Sequence, residues 1–206
     1  MGATAETSDH APDANPDRTP AAGLRETPAT PGFRRSAWTP KQKIIRALWG
    51  TLGRAVWLCI PPARSALIRA FGGAVGPGCS FHRTVAIAIP WNLDIGSGVR
   101  VGPGAILYSL GLITIGDRTA LDRRAHLCAG THDMTDPNFP LLCPPITVGR
   151  DCLIGIDAYV GPEVTLGDAC TVEARASVYK PFPTGTRLRG NPAAPVETED
   201  AGEHDR

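Results

Sequence analysis

Along the middle of the chain a large apolar residue returns every six positions. One run reads Val148, Ile154, Val160, Leu166, Val172, Val178. Earlier runs are Val75, Phe81, Ile87, then Ile95, Val101, Leu107, then Ile115, Leu121, Leu127. Four residues after each comes a small or β-branched side chain, such as Val99, Ala105, Thr119, Cys152 or Cys170. Gly often follows the large residue directly, as at Gly96, Gly102, Gly116, Gly149 and Gly155. A fixed short period marks a solenoid, and a period of six marks a parallel β-helix. Each hexad gives one short strand and one bend, and three hexads close a triangular coil. The large residue fills the interior and the small one fits near the corner. Gly suits the bend because it tolerates positive φ and close backbone approach. Stacked coils place like over like, so Cys152 is expected over Cys170. A β-sandwich also has many short strands, but it does not hold one register for so long.

The runs predict an all-β solenoid of about five coils over residues 74–180, starting at Val75, Ile95, Ile115, Val148 and Leu166. Two coils carry two extra residues each, between Ile87 and Ile95 and between Leu107 and Ile115. From Leu127 to Val148 the spacing is 21 residues where one hexad is needed. An inserted loop, 129–145, therefore leaves the repeat. Long insertions in compact domains are usually functional or disordered. This one is apolar and Pro-rich towards its end, which suits an ordered arm.

Ahead of the repeat, residues 39–73 read as a helical cap of one or two short helices. Thr39-Pro40 resembles an N-cap followed by Pro at the first helical position. Ile44, Ile45, Leu48, Trp49, Leu52, Ala55 and Val56 follow a helical stripe. Pro61-Pro62 interrupts it, and Gly72-Gly73 ends a second short helix. Residues 1–38 and 197–206 lack periodicity and are expected to be disordered. Residues 181–196 form a C-terminal segment.

The net charge of the 206-residue chain is only +1, but it is unevenly placed. No Asp or Glu lies between Glu26 and Asp94, a stretch holding Arg34, Arg35, Lys41, Lys43, Arg46, Arg54, Arg64, Arg69 and Arg83. The helices either cap the first coil or rest a basic amphipathic face on an anionic membrane. No recognition motif supports nucleic acid as the partner. The six cysteines form no CxxC pair, and several occupy inward repeat positions. They read as small buried apolar residues in a reducing compartment. With no secretory leader and no apolar run of membrane-spanning length, the expected location is cytoplasmic, with peripheral contact at the inner face of the membrane as the one extension.

The loop contains His132, beside Asp133 and before Asp136. Three stretches are informative together: Pro90-Trp91-Asn92-Leu93-Asp94-Ile95-Gly96; Cys128-x-Gly130-Thr131-His132-Asp133 with Asp136-Pro137-x-Phe139-Pro140-Leu141; and Arg189-Gly190-Asn191-Pro192-Ala193. With the hexads, they make residues 40–195 resemble the left-handed parallel β-helix acyltransferases, in particular the colanic-acid-type exopolysaccharide O-acetyltransferase branch. The resemblance implies a left-handed coil, a homotrimer, acetyl-CoA as co-substrate without a metal, and a sugar or polysaccharide-precursor hydroxyl as acceptor. It implies that His132 is a general base for direct acetyl transfer. An imidazole titrates near working pH and can take the hydroxyl proton as the oxygen attacks the thioester. Asp133 and Asp136 either orient the imidazole, bind sugar hydroxyls, or serve as turn residues. Asn92 either hydrogen-bonds acceptor or oxyanion or is a corner residue. Trp91 either stacks on a sugar or fills the corner. Ile156 and Ala174, one coil apart, are implied to line the pantetheine groove. Lys180, assisted by Arg187 and Arg189, is implied to contact the cofactor phosphates. Pro181 and Ala194 depart from the family pattern, where Asp and Arg are usual, and this bears on CoA binding.

Two other readings share the solenoid. A γ-type carbonic anhydrase would use three histidines on zinc, and His82, His126 and His132 supply the count. A non-catalytic scaffold would keep the coils alone and has no use for the histidine loop.

Overall fold

The computed structural model describes residues 39–196. The expectations for 1–38 and 197–206 lie outside the described residues. The hexads form three parallel sheets, one per side of a triangular coil. The first sheet stacks Ala74–Val75, Leu93–Ile95, Ile113–Ile115, Ile146–Val148 and Thr165–Leu166. The second stacks Ser80–Phe81, Arg100–Val101, Ala120–Leu121, Leu153–Ile154, Thr171–Val172 and Arg187–Arg189, and Ala194–Pro195 closes its end antiparallel. The third stacks Ala86–Ile87, Ile106–Tyr108, His126–Cys128, Tyr159–Val160 and Ser177–Val178. Phe182 bridges to Leu166 and Leu188 pairs with Val172. A sixth, partial coil therefore follows the five that the hexads predict. It is entered four residues after Val178 instead of six, although Phe182 to Leu188 is again a step of six, and this break is why the sequence hides it.

The large column is interior: Leu107, Leu127, Ile154, Val160, Val172 and Val178 have no exposed surface. The small column is buried as well, and Thr119 belongs there because its hydroxyl is satisfied. It donates to the Gly149 carbonyl (2.7 Å) and accepts from the Cys152 amide (3.0 Å). Cys152 and Cys170 are buried and adjacent through the register Leu153 to Thr171. Burial pushes the Cys152 thiol up to about 11. The buried reading does not extend to Cys59 and Cys143, which are exposed.

The glycines correct one expectation. Those that follow the large column do not adopt positive φ. They are needed because the next coil is too close: a Cβ on Gly116 would lie 2.6 Å from the Arg150 nitrogen. The left-handed conformation falls two residues later, at Gly78, Gly98, Arg118, Asp151, Ala169 and Gly185 on the corner between the first and second sheets, and again at Gly104, Arg124, Asp157 and Arg175 on the next corner and at Glu163 on the third. Where this column is not Gly, Arg118 pairs with Asp151 at 2.6 Å and holds its carboxyl below the usual range.

The cap is built as α1 (Pro40–Leu48), a π-turn (Trp49–Gly53), α2 (Arg54–Cys59), a 3-10 turn (Pro61–Ala63) and α3 (Arg64–Ala70). Thr39 and Gln42 form a capping box at the start of α1. Through the π-turn, Trp49, Gly53 and Trp57 turn towards the first coil. The two indoles donate to the Ile87 and Arg83 carbonyls, each at 3.1 Å, and their rings pack edge-on with Phe71 and Phe81. Half of the sequence stripe faces the other way, with Ile44, Leu48 and Leu52 exposed.

Candidate active site

All three insertions leave the solenoid at one corner, between the third and first sheets. The two short ones stack. The Ile89 amide donates to the Ser109 hydroxyl at 3.0 Å, and both amide hydrogens of Asn92 go to the Ser109 and Leu110 carbonyls, at 3.0 and 2.8 Å. These two bonds tie Asn92 to the corner. Its remaining amide atom, Oδ1, can only accept, so it cannot stabilise an oxyanion in this arrangement. Trp91 lies against Gly72 and, with Ile45, Leu48 and Phe71, lines a groove between corner and cap. It packs the corner, two coils from the long loop.

The long loop is a β-hairpin arm. Thr131–His132 pairs antiparallel with Leu141–Leu142. Its root is close-packed, with Gly130 against Leu110 and Tyr108. Its tip holds two carboxylates that fold back on their own turn. Asp133 accepts from the Thr135 amide (2.9 Å) and hydroxyl (2.6 Å), which keeps its carboxyl below the usual range. Asp136 accepts from the Asn138 amide at 2.8 Å and side chain at 3.1 Å. Neither touches His132, so the imidazole-orienting role proposed for them falls elsewhere. The turn closes with the Phe139 amide on the Asp136 carbonyl (2.9 Å) and Phe139 at φ 48°. This aims the Phe139 carbonyl at His132 Nδ1, 2.8 Å away. A carbonyl can only accept, so Nδ1 carries the proton and Nε2 of the neutral ring keeps a free lone pair. The orienting group is a backbone carbonyl, invisible to any motif of side chains. The Asp-Pro turn and the return strand were its only sequence signal.

The other candidates divide between two corners. Lys180 stands on the arm's own corner, with Nζ 5.5 Å over the Phe182 ring. Ile156 and Ala174 stand on the corner between the second and third sheets, linked by the Arg175 amide on the Ile156 carbonyl (2.8 Å). Both are exposed. Arg189, in register with Glu173, lies beside Ala174. Arg187 and Arg189 both grip the Glu173 carboxylate, at 2.6 and 2.5 Å, and hold it ionised below the usual range. Closeness in sequence therefore does not make one cluster of three cations. The period sends Lys180 and the arginines to different corners, and Glu173 offsets part of the arginine charge. Pro181 is exposed next to Lys180, and Ala194 lies opposite Arg189.

His82 follows a strand of the second sheet, His126 lies on the third, and His132 is in the arm. Among the described residues no group of three or more His, Cys, Asp or Glu is placed to hold a metal. Nor is any helix among them long and apolar enough to cross a membrane.

Residues 145–180 match the model of the hexapeptide repeat of succinyl-transferase. A putative colanic acid biosynthesis acetyltransferase, WcaF of Escherichia coli, is 36% identical over 160 residues, 74% of this chain and 88% of the relative. Nodulation protein L of Rhizobium leguminosarum is 30% identical over 128 residues, 59% of this chain and 65% of its own. Among solved structures, a hexapeptide-repeat acetyltransferase from Vibrio cholerae in complex with acetyl-CoA superposes with TM-score 0.72 at 20% identity, covering 81% of this chain and 93% of that one. A galactoside acetyltransferase with coenzyme A gives 0.70 at 22%, covering 79% and 84%. At these identities the superpositions establish the fold. Taken with the extent and identity of the Escherichia coli match, they make this chain a member of the left-handed β-helix, hexapeptide-repeat acetyltransferase family.

Proposed function

We propose that the protein is an acetyl-CoA-dependent O-acetyltransferase acting on a hydroxyl of a sugar or polysaccharide precursor, with His132 as general base. The carrying observation is the Phe139 carbonyl on His132 Nδ1. It fixes the tautomer whose Nε2 can take a proton. As the acceptor oxygen attacks the acetyl carbonyl, its proton passes to Nε2. The tetrahedral adduct then collapses, the C–S bond breaks, and the imidazolium returns the proton to the departing thiolate. Ester and free CoA leave, and no acyl-enzyme forms. The relatives named for sugar and glycan acetylation support this acceptor class.

The site is shared between subunits of a homotrimer. His132 and Lys180 occupy one edge of the third sheet, while Ile156 and Ala174 occupy the other. Between those edges the outer face of the third sheet carries an aromatic column, Tyr108, His126, Tyr159 and Tyr179, with rings 5.4–6.5 Å apart. Ile106, Tyr108 and Tyr179 are exposed on it. An apolar face of this kind suits an interface. Cyclic packing about it brings the arm of one chain against the groove corner of the next. Arm residues Met134, Phe139 and Leu142, exposed on the single chain, then have a surface to cover. The exposed apolar face of α1, with Lys41 and Lys43 in a stretch of sequence that holds no Asp or Glu from 27 to 93, suits peripheral contact with an anionic membrane on the cytoplasmic side.

The test of the reaction is direct. The full chain, acetyl-CoA and a panel of glycosides are expected to release free thiol together with an O-acetyl ester detected by NMR. Thiol release without any ester, or no release with every glycoside, contradicts the reading.

A further inference from the structure

The outer face of the second sheet holds a groove that the proposed reaction has not used. It has a volume of about 500 Å3 and runs from the helical cap across three coils to Leu153. Ser80, His82, Arg100, Asp122 and Arg64 are among its lining residues.

Arg64 is the unusual member. It opens α3 and is 9% exposed. Its Nε and one terminal nitrogen donate to the Trp57 and Phe81 carbonyls, at 2.9 and 2.8 Å, and its guanidinium lies 5.8 Å from the Trp57 ring centroid. These contacts orient the charge without neutralising it. No ion pair among the described residues includes Arg64, and none includes Arg100, which stands exposed on the same face. Burying a charge is costly unless something of opposite sign meets it. The single carboxylate of the lining, Asp122, is exposed, and its Oδ1 accepts from the Arg123 amide at 2.6 Å.

The groove is also in the right place. Its far end, Leu153, lies on the strand that leads into Ile156. Ile156 stands on the corner that the proposed trimer brings against the partner's arm. A molecule held in the groove has one end at the cap and the other on the strand that leads to that corner.

We propose that this groove binds the acceptor and that Arg64 and Arg100 receive an anionic group on it, a carboxylate or a phosphate. The inference rests on the acetyltransferase reading and narrows its acceptor to acidic or phosphorylated sugars. Planar guanidinium forks suit both oxyanions. Arg64 supplies a fixed, desolvated charge, and Arg100 closes on the ligand from the solvent side.

Calorimetric titration of the full-length protein without acetyl-CoA tests this, using methyl glucuronoside, glucose 1-phosphate and neutral methyl glucoside. At least one anionic probe is expected to bind more tightly than the neutral sugar by about tenfold or more, and the tighter of the two names the group. Arg100→Gln is expected to abolish that preference. Arg64→Lys, which keeps the charge but loses the fork, is expected to weaken it. Should Arg64→Lys fail to fold, the exposed Arg100 still decides the matter. Equal binding of neutral and anionic probes, or a preference that survives Arg100→Gln, overturns the proposal. Acetyl transfer to neutral glycosides with no anionic preference would leave the enzymatic reading intact and this one refuted. Anion preference without thiol release in any assay would do the opposite.

Discussion

Replacing His132 with Ala lowers kcat for acetyl transfer by about 10²–10⁴-fold, the usual contribution of a positioned general base. The KM for acetyl-CoA changes little, because the imidazole meets the acceptor hydroxyl and not the pantetheine arm. The fold is unaffected. His132 is exposed, and the substitution removes from its side chain the hydrogen bond of Nδ1 to Phe139 O while leaving the backbone pairing with Leu141 in place, so the melting temperature stays at the wild-type value. That combination separates a chemical role from a structural one. A merely structural histidine would move both numbers or neither. Steady-state kinetics by thiol release, beside a thermal melt of the same preparation, reads both.

Truncating Leu127 has the largest effect on stability. Leu127 is fully buried in the third coil and is the last large interior residue before the arm. Leu127→Ala removes buried methyl groups and leaves a cavity that stacked backbones cannot close, at a cost of about 2–5 kcal/mol. For a chain of this size that lowers Tm on the order of 10 °C. Activity falls further than residual folding accounts for, since the rung that holds the root of the arm is the one loosened. Leu112→Ala, on the same corner but 48% exposed, serves as the comparison and moves Tm far less. A Leu127→Ala melt indistinguishable from wild type would mean that the column is not the core.

Most of the wall was legible because side chains alone determine it. The hexads place Val75, Ile95, Ile115, Val148 and Leu166 on one sheet, and those residues are in register there. The break after Leu127 marks the arm for the same reason. What the pattern could not convey are features carried by the backbone or by neighbours distant in sequence. Gly116 is small because of Arg150 on the next coil, not because of its own φ. The group that orients His132 is a carbonyl. Arg187 and Arg189 look like free cations until Glu173 arrives beside them from the preceding coil. The inward turn of Trp49 and Trp57 depends on a π-turn that no periodicity announces. Arg64 read as one positive charge among nine, and only its burial against Trp57 and Phe81 sets it apart.

The central claim is that an arm from one chain acts on a groove of the next, and subunit mixing tests it most directly. His132→Ala spoils the arm, and Ile156→Trp fills the groove. Each variant alone is expected to be nearly inactive. After the two are mixed one to one and exchanged, with mixed trimers verified by differential tags, about a quarter of the interfaces join an intact arm to an intact groove in a cyclic assembly. The account predicts recovery towards that fraction of wild-type activity. If verified mixed trimers show no activity beyond the sum of the two variants, the site lies within one chain and the account is wrong.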